Sequence, residues 1–469
     1  MSDAPTLFAA LRESADKDAA AAIERLVDHG ADGDLNRINA LDFAARSGLD
    51  EEAAIGGFLH AARLGLFDMS WNVLCPACGG VLSANTSLKH MKREGYNCAL
   101  CACGYAPTLD ETVEVTFTVS SRVRRIAAHD PQQLPIWDYF RQIYLSSGIA
   151  LDQELFRSSL DELCLESVEL PPGERAIVSL QLPAGWIIVF DPVTHSSQSL
   201  DVHGDPTRER QNLSIVFDQM HSSIGTLELR PGPLRLTLEN RADERVLPVV
   251  LVVCEALEHL VGNRKPFLTA KRLLTNQTFR DIYRTDTLDV DQRLKITSLT
   301  FLFTDLKGST QLYDRVGDLV AFDLVREHFR VLNEIVAAEA GAVVKTIGDA
   351  VMATFPTPDR ALAAALKMRE AMRVLGNGHN RGDLMLKIGI HEGPCLAVML
   401  NDRQDYFGQT VNIAARVQGL AASRAIYASG PVVEHPQSST LLESSGIAPL
   451  PRRTILSGIP EEFAVYEIP

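Results

Sequence analysis

FLFTDLKGST, residues 301–310, carries an apolar run up to Asp305 and then turns into Lys-Gly-Ser-Thr. The G-x-x-x-x-G-K-[ST] spacing of a phosphate-binding loop is absent, so the segment is not a P-loop. LTFLF is apolar enough for a buried central strand, and VVKTIG delivers Asp349 in the same way. One aspartate at a strand end is ordinary turn chemistry. Two on neighbouring strands would repel each other unless a divalent cation lay between them. Paired aspartates with substrate phosphates suit Mg²⁺, and a two-ion version suits phosphoryl transfer. Gly308 permits a sharp turn after Asp305. The N–H groups of 306–310, Ser309 and Thr310 among them, would then face a helix start whose dipole favours phosphate.

From about 297 onward, strands and helices alternate. TSLTFLFTD reads as a strand, and DLVAFDLVREHFRVLNEIVAAEAG as a long amphipathic helix. VVKTIGDAVMATF is a strand pair around a Gly-Asp turn, followed by the helix PDRALAAALKMREAMRVL. LMLKIGIHEGPCLAVML reads as another strand pair, and TVNIAARVQGLAA as a third helix. The order predicts an α+β, ferredoxin-like βαββαβ domain with helices on one sheet face.

FTDLKGST, KTIGDAVMATF, KIGIHEGP and DYFGQTVNIAAR, in that order, resemble the catalytic domain of class III adenylate and guanylate cyclases over 297–469. The resemblance implies that Asp305 and Asp349 bind two Mg²⁺ or Mn²⁺ ions. It further implies that Lys345 and Asp405 recognise adenine, and that Asn412 and Arg416 stabilise the transition state. An Asp can accept from the exocyclic amine of adenine and a Lys can donate to its ring nitrogen. Guanine presents the reverse pattern, and each unpaired buried group costs about 1–3 kcal/mol. The implied activity is conversion of ATP to 3′,5′-cyclic AMP and pyrophosphate at the interface of a homodimer with two equivalent sites. Many family members also carry a lysine on the last hairpin. RRTILSGIPEEFAVYEI has none, so that either Arg452 or Arg453 substitutes or triphosphate binding is weaker. A diguanylate cyclase is disfavoured, since no GG[DE]EF segment occurs.

Before 297 the chain divides into a helical region (1–70), a cysteine module with a following helix (71–150), a strand-rich, β-sandwich-like domain (151–254) and a helical connector (255–296). Five of eight cysteines lie between 75 and 103. Cys75-x₂-Cys78 and Cys98-x₂-Cys101 fit a closed tetrathiolate, structural Zn²⁺ site of zinc-ribbon type, with Cys103 a competing ligand. A reduced thiol core and redox sensing are the alternatives. The CPxCGG segment resembles a region found ahead of some bacterial cyclases, which by itself implies no activity. This half reads as the regulator of the cyclase, its own partner unspecified.

At 469 residues the chain is long enough for two to four domains. A net charge of −15 argues against a broad basic surface for nucleic acid, while metal ions can still neutralise nucleotide phosphates. Its longest apolar stretch, LPVVLVVC (247–254), is far too short for a membrane span, and the N-terminus lacks a signal-peptide pattern, so the expected location is cytoplasmic. The second functional class left open is a non-catalytic, nucleotide-binding signalling module whose zinc domain contacts a protein or DNA.

Overall fold

The computed structural model describes residues 4–91, 95–150, 156, 160, 162–218, 225–283, 293–307, 317–377, 385–400, 403–421, 425–456, 458 and 462–469. It comprises two compact units. The first holds residues 1–86, 90–107 and 111–268; the second holds 87–89, 108–110 and 269–469. No helix among the described residues is long and apolar enough to cross a membrane.

The first unit opens with four helices, Ala4–Ser14, Lys17–His29, Ala40–Ser47 and Glu51–Arg63. Asp16, Asn39 and Asp50 cap the last three by accepting from backbone N–H groups that have no partner within the helix. Gly48, at φ 66°, ends the third in the left-handed conformation that glycine adopts without strain. A three-stranded antiparallel sheet follows, with Phe67–Leu74 between Val81–Asn85 and Val113–Val119. The cysteine-bearing hairpin pairs Tyr96–Cys98 with Cys103–Tyr105. The helix expected after the cysteine module has α-helical geometry only over Ile136–Tyr139, then a π-turn over Phe140–Tyr144. Beyond it a three-stranded and a five-stranded sheet share one core that includes Leu180, Leu236, Val189 and Leu200.

The second unit is built on an eight-stranded sheet. Leu294–Lys307 is central, between Ala350–Phe355 and Met385–Leu400. Period-two alternation sends Leu302, Ile388 and Ile390 to one face. There they pack with the helices Asp318–Ala338 and Pro358–Asn377 through Leu332, Val336, Leu362 and Met368.

Two expectations change here. Met385–Leu400 is one continuous 16-residue strand, not a strand pair. Pro394 has no N–H to give, but it lies opposite a bulge at Thr297–Ser298 in the partner strand, where the ladder is already interrupted. The bulge's own N–H groups go to the Asp110 carboxylate, at 3.1 Å each. Helices also cover both faces of the sheet, not one. Gln409–Leu420 packs on the face opposite Ile388 and Ile390, because Gly389 and Gly393 present no side chain there.

Candidate active site

The antiparallel register that sets Phe303 against Met352 carries Asp305 and the Gly348-Asp349 turn to the same edge of the sheet. Thr304 Oγ1 accepts from the Val351 N–H at 3.0 Å and ties the two strands immediately beside both carboxylates. Gly348, at φ 64°, supplies the left-handed residue that the tight Ile347–Ala350 connection requires. Both aspartates are partly exposed. Two hard-oxygen side chains at one accessible edge are a donor set suited to Mg²⁺ or Mn²⁺. Lys387 is the cross-strand partner of Asp305, a neighbouring cation that sequence reading passed over because no spacing rule links the two. Gly308, Ser309 and Thr310, expected at the phosphates, lie outside the described residues.

Lys345 and Asp405, sixty positions apart, meet directly: Nζ lies 2.5 Å from Oδ2. The Asp405 side chain is 10% exposed and that of Lys345 42%. Asp405 Oδ1 also accepts from the Tyr406 N–H at 2.8 Å, which fixes the carboxylate's orientation. Lys345 stands on the same hairpin as Asp349, so the cationic and anionic positions share one rigid element.

Asn412 and Arg416 are one helical turn apart on Gln409–Leu420, Asn412 exposed and Arg416 partly so. The Arg416 guanidinium lies against Gly458, at 3.4 Å from where a Cβ there would stand. Of the two cations proposed to replace the missing hairpin lysine, Arg452 pairs with Glu467 and sits 5.6 Å over the Tyr427 ring. Arg453 pairs with Glu462 at 3.4 Å. Both are therefore already engaged within their own hairpin.

Two buried histidines flank this machinery. Burial pulls His328 down to about 4, with the Asp349 carboxylate opposing the shift. It pulls His391 to about 4 as well, with His391 Nδ1 2.7 Å from Ser429 Oγ. Both imidazoles are thus neutral at pH 7 and serve packing.

The seat of the Arg416 helix is tight. A Cβ on Gly389 would stand 2.1 Å from the Gln418 backbone nitrogen, and backbone cannot rotate away. Gly389→Ala is therefore expected to lower stability by about 1–3 kcal/mol, the cost of overpacking, and to displace the helix. Gly419→Ala, on the same helix with nothing within 4 Å, should be neutral or slightly stabilising. Thermal unfolding of the two variants checks the contrast; equal melting temperatures would contradict it.

In the first unit, the Sγ atoms of Cys75, Cys78, Cys98 and Cys101 all lie within 4.8 Å of one another, and Cys78 to Cys98 is 3.7 Å. Four sulfurs at about 2.3 Å from a tetrahedral Zn²⁺ would be about 3.8 Å apart, so the four fit that ion. Cys103 falls outside the group. The Gly80 N–H donates to Cys78 Sγ at 3.4 Å, as expected around a thiolate ligand.

Residues 1–281 match a family described as of unknown function (DUF5939), and residues 292–450 match the adenylate and guanylate cyclase catalytic domain. The chain is 33% identical over 236 residues to adenylate cyclase 2 of Rhizobium meliloti, covering 47% of this chain and 62% of that one. It is 34% identical over 127 residues to an uncharacterized protein of Mycobacterium tuberculosis, covering 27% and 31%. The chain thus spans less than two thirds of the length of either relative. Among solved structures, the adenylyl cyclase CyaB from P. aeruginosa is similar at 22% identity, covering 38% of this chain and 96% of that chain, with a TM-score of 0.34.

Proposed function

We propose that this chain, which belongs to the DUF5939 family through residues 1–281 and carries a class III cyclase catalytic domain at 292–450, converts ATP to 3′,5′-cyclic AMP and pyrophosphate. The observation that carries the reading is the convergence of Asp305 and Asp349 at one sheet edge, with Lys345, on the same hairpin as Asp349, paired to Asp405 on the strand Arg403–Phe407. Divalent cations held by the two aspartates would supply charge neutralisation at the phosphates and activation of the ribose 3′ hydroxyl. The 3′ oxygen bonds to the α-phosphorus, the bond from that phosphorus to the bridging oxygen breaks, and pyrophosphate leaves while the hydroxyl proton passes to water. Arg416 presents a planar fork of donors to the phosphate oxygens as charge builds, with Asn412 one turn earlier on the same face. Asp405 accepts from the adenine amine, and Lys345 donates to a ring nitrogen.

Two such domains would complete the site. Ile347, Leu400, Phe407 and Ile455 are 48–67% exposed on the catalytic unit, an apolar set suited to burial against a second copy. The N-terminal unit is assigned the regulatory role. Support comes from residues 108–110, which follow the cysteine hairpin in sequence yet are built into the catalytic unit: Leu109 N–H donates to the Lys295 carbonyl, and Asp110 satisfies the strand bulge.

Full-length protein with ATP and Mn²⁺ or Mg²⁺ is expected to release cyclic AMP and pyrophosphate in equal amounts. With GTP the rate should be lower by about tenfold or more. No cyclic AMP with either metal would reject the reading in favour of a non-catalytic module.

The four-cysteine cluster is proposed to hold one structural Zn²⁺. Purified protein should contain one zinc per chain by elemental analysis, lose it in Cys78→Ser, and keep it in Cys103→Ser. Zinc retained in Cys78→Ser would point to a different ligand set. Because site formation and folding are linked, the Cys78→Ser variant should also melt earlier.

A further inference from the structure

The helix Gln277–Ile282, in the segment read only as a connector, touches the backbone beside both base-selecting residues. Arg280 Nη2 donates to the Gln404 carbonyl at 2.9 Å and to the Val344 carbonyl at 3.4 Å. Gln404 immediately precedes Asp405, and Val344 immediately precedes Lys345. The Val343 N–H donates to Gln277 Oε1 at 2.8 Å. One helical turn therefore grips two strands, Ala342–Ile347 and Arg403–Phe407, that are not neighbours in the sheet.

The grip falls where the strands are least able to hold themselves. The ladder of Ala342–Ile347 slips between Val343 and Lys345, leaving Val344 as an extra residue whose carbonyl lacks a regular cross-strand partner. Among the described residues, Arg403–Phe407 pairs only with the end of Met385–Leu400. On that strand, Tyr406 Oη donates to the Leu274 carbonyl at 3.3 Å, a second tie to the connector. Burial raises the Tyr406 phenol to about 12, so it remains a neutral donor. The anchoring helix is internally braced: Asn276 Oδ1 caps it by accepting from Phe279 N–H at 2.9 Å, and Gln277 Nε2 donates to Asp281 at 3.0 Å. A cavity of about 190 Å³ between this helix and the two strands leaves room for the helix to shift, and Arg280 Nη1 is buried beside it without a hydrogen-bond partner among the described residues.

We infer that Arg280 is a positioning residue for base selection: its guanidinium bridges the backbone ahead of Lys345 and of Asp405 and so sets the spacing of that pair. This rests on the cyclase reading above. Arg280 touches no nucleotide; it acts through the two strands. A displacement of about 1 Å in a recognition pair costs up to about a hundredfold in rate, so one shared bridge is enough to govern discrimination. Through it, any movement of the connector becomes a change in nucleotide preference as well as in rate.

The test compares wild-type, Arg280→Ala and Arg280→Lys full-length proteins in steady-state assays with ATP and with GTP, alongside thermal unfolding. In Arg280→Ala the ATP-to-GTP ratio of kcat/KM is expected to fall about ten- to a hundredfold, mostly through a higher KM for ATP. Arg280→Lys keeps one donor but not the planar fork and should recover part of the ratio. A loss of kcat for both nucleotides at unchanged ratio would show a merely structural role and overturn the inference. An unchanged ratio with unchanged kcat would overturn it too. Should Arg280→Ala fail to fold, Gln277→Ala, which removes the other half of the grip, is measured against the same expectation. Inactive wild-type protein would instead count against the cyclase reading itself.

Discussion

Asp305→Asn and Asp349→Asn are each expected to cut metal-dependent cyclic AMP formation by about a thousandfold or more. Metal ions contribute several kcal/mol of charge stabilisation in such displacements, and about 4 kcal/mol corresponds to three decades in rate. Asparagine keeps the shape of each side chain and removes only the charge that holds the ion. Asp305 is partly exposed beyond the buried run 301–304, and Asp349 sits in a turn, so neither change should disturb the core. Unchanged melting temperatures with lost activity separate a site effect from a folding effect. Activity within tenfold of wild type in either variant would remove that aspartate from the metal site.

The same variants test the homodimer. If one protomer supplies the aspartates and its partner supplies Arg416, then Asp305→Asn mixed with Arg416→Ala restores one intact site in every mixed dimer. Random exchange makes half the dimers mixed, each with one of two sites, so recovery should approach about a quarter of wild-type activity. Recovery would not occur if each site were built within one chain.

What could be read from sequence followed the range of the physics involved. Asp305 and Asp349 each end a short apolar run, a local pattern, and their convergence needed only that the two strands be neighbours. Lys345 and Asp405 have no local signature; four ordered motifs named them, and only the structure shows the 2.5 Å pair. LMLKIGIHEGPCLAVML reads from its own residues as a strand pair. A bulge on the facing strand and a carboxylate 187 positions away override it, and no window of sequence contains that compensation. The helix Gln409–Leu420 was expected, but its place on the second sheet face was not, for a related reason. Gly389 leaves room for the Gln418 backbone and Gly393 for the Thr410 side chain, contacts that no local pattern announces. Arg280 stood in a segment with ordinary helical spacing, and its two carbonyl partners lie 64 and 124 residues away.

Lys345→Met is expected to lower kcat/KM for ATP by about 10–10² and to erase most of the preference over GTP. The substitution removes one charged donor to the base, about 1.5–3 kcal/mol. It also leaves Asp405, only 10% exposed, as a carboxylate without its cation. An uncompensated charge of that kind destabilises by several kcal/mol when fully buried, and by less here, since the Lys345 side chain is 42% exposed to water. Asp405→Leu alone removes the acceptor for the adenine amine and leaves Lys345 free to move into solvent, so its stability cost should be smaller. The double variant Lys345→Met/Asp405→Leu should then be more stable than Lys345→Met alone, because neither charge is left behind. Catalytically it should be no worse than the poorer single variant, as expected of two groups acting as one unit. Melting temperatures and initial rates with ATP and GTP across the four proteins measure both couplings. Additive effects in stability and in selectivity would mean that the pair in the structure is incidental and that base choice is made elsewhere.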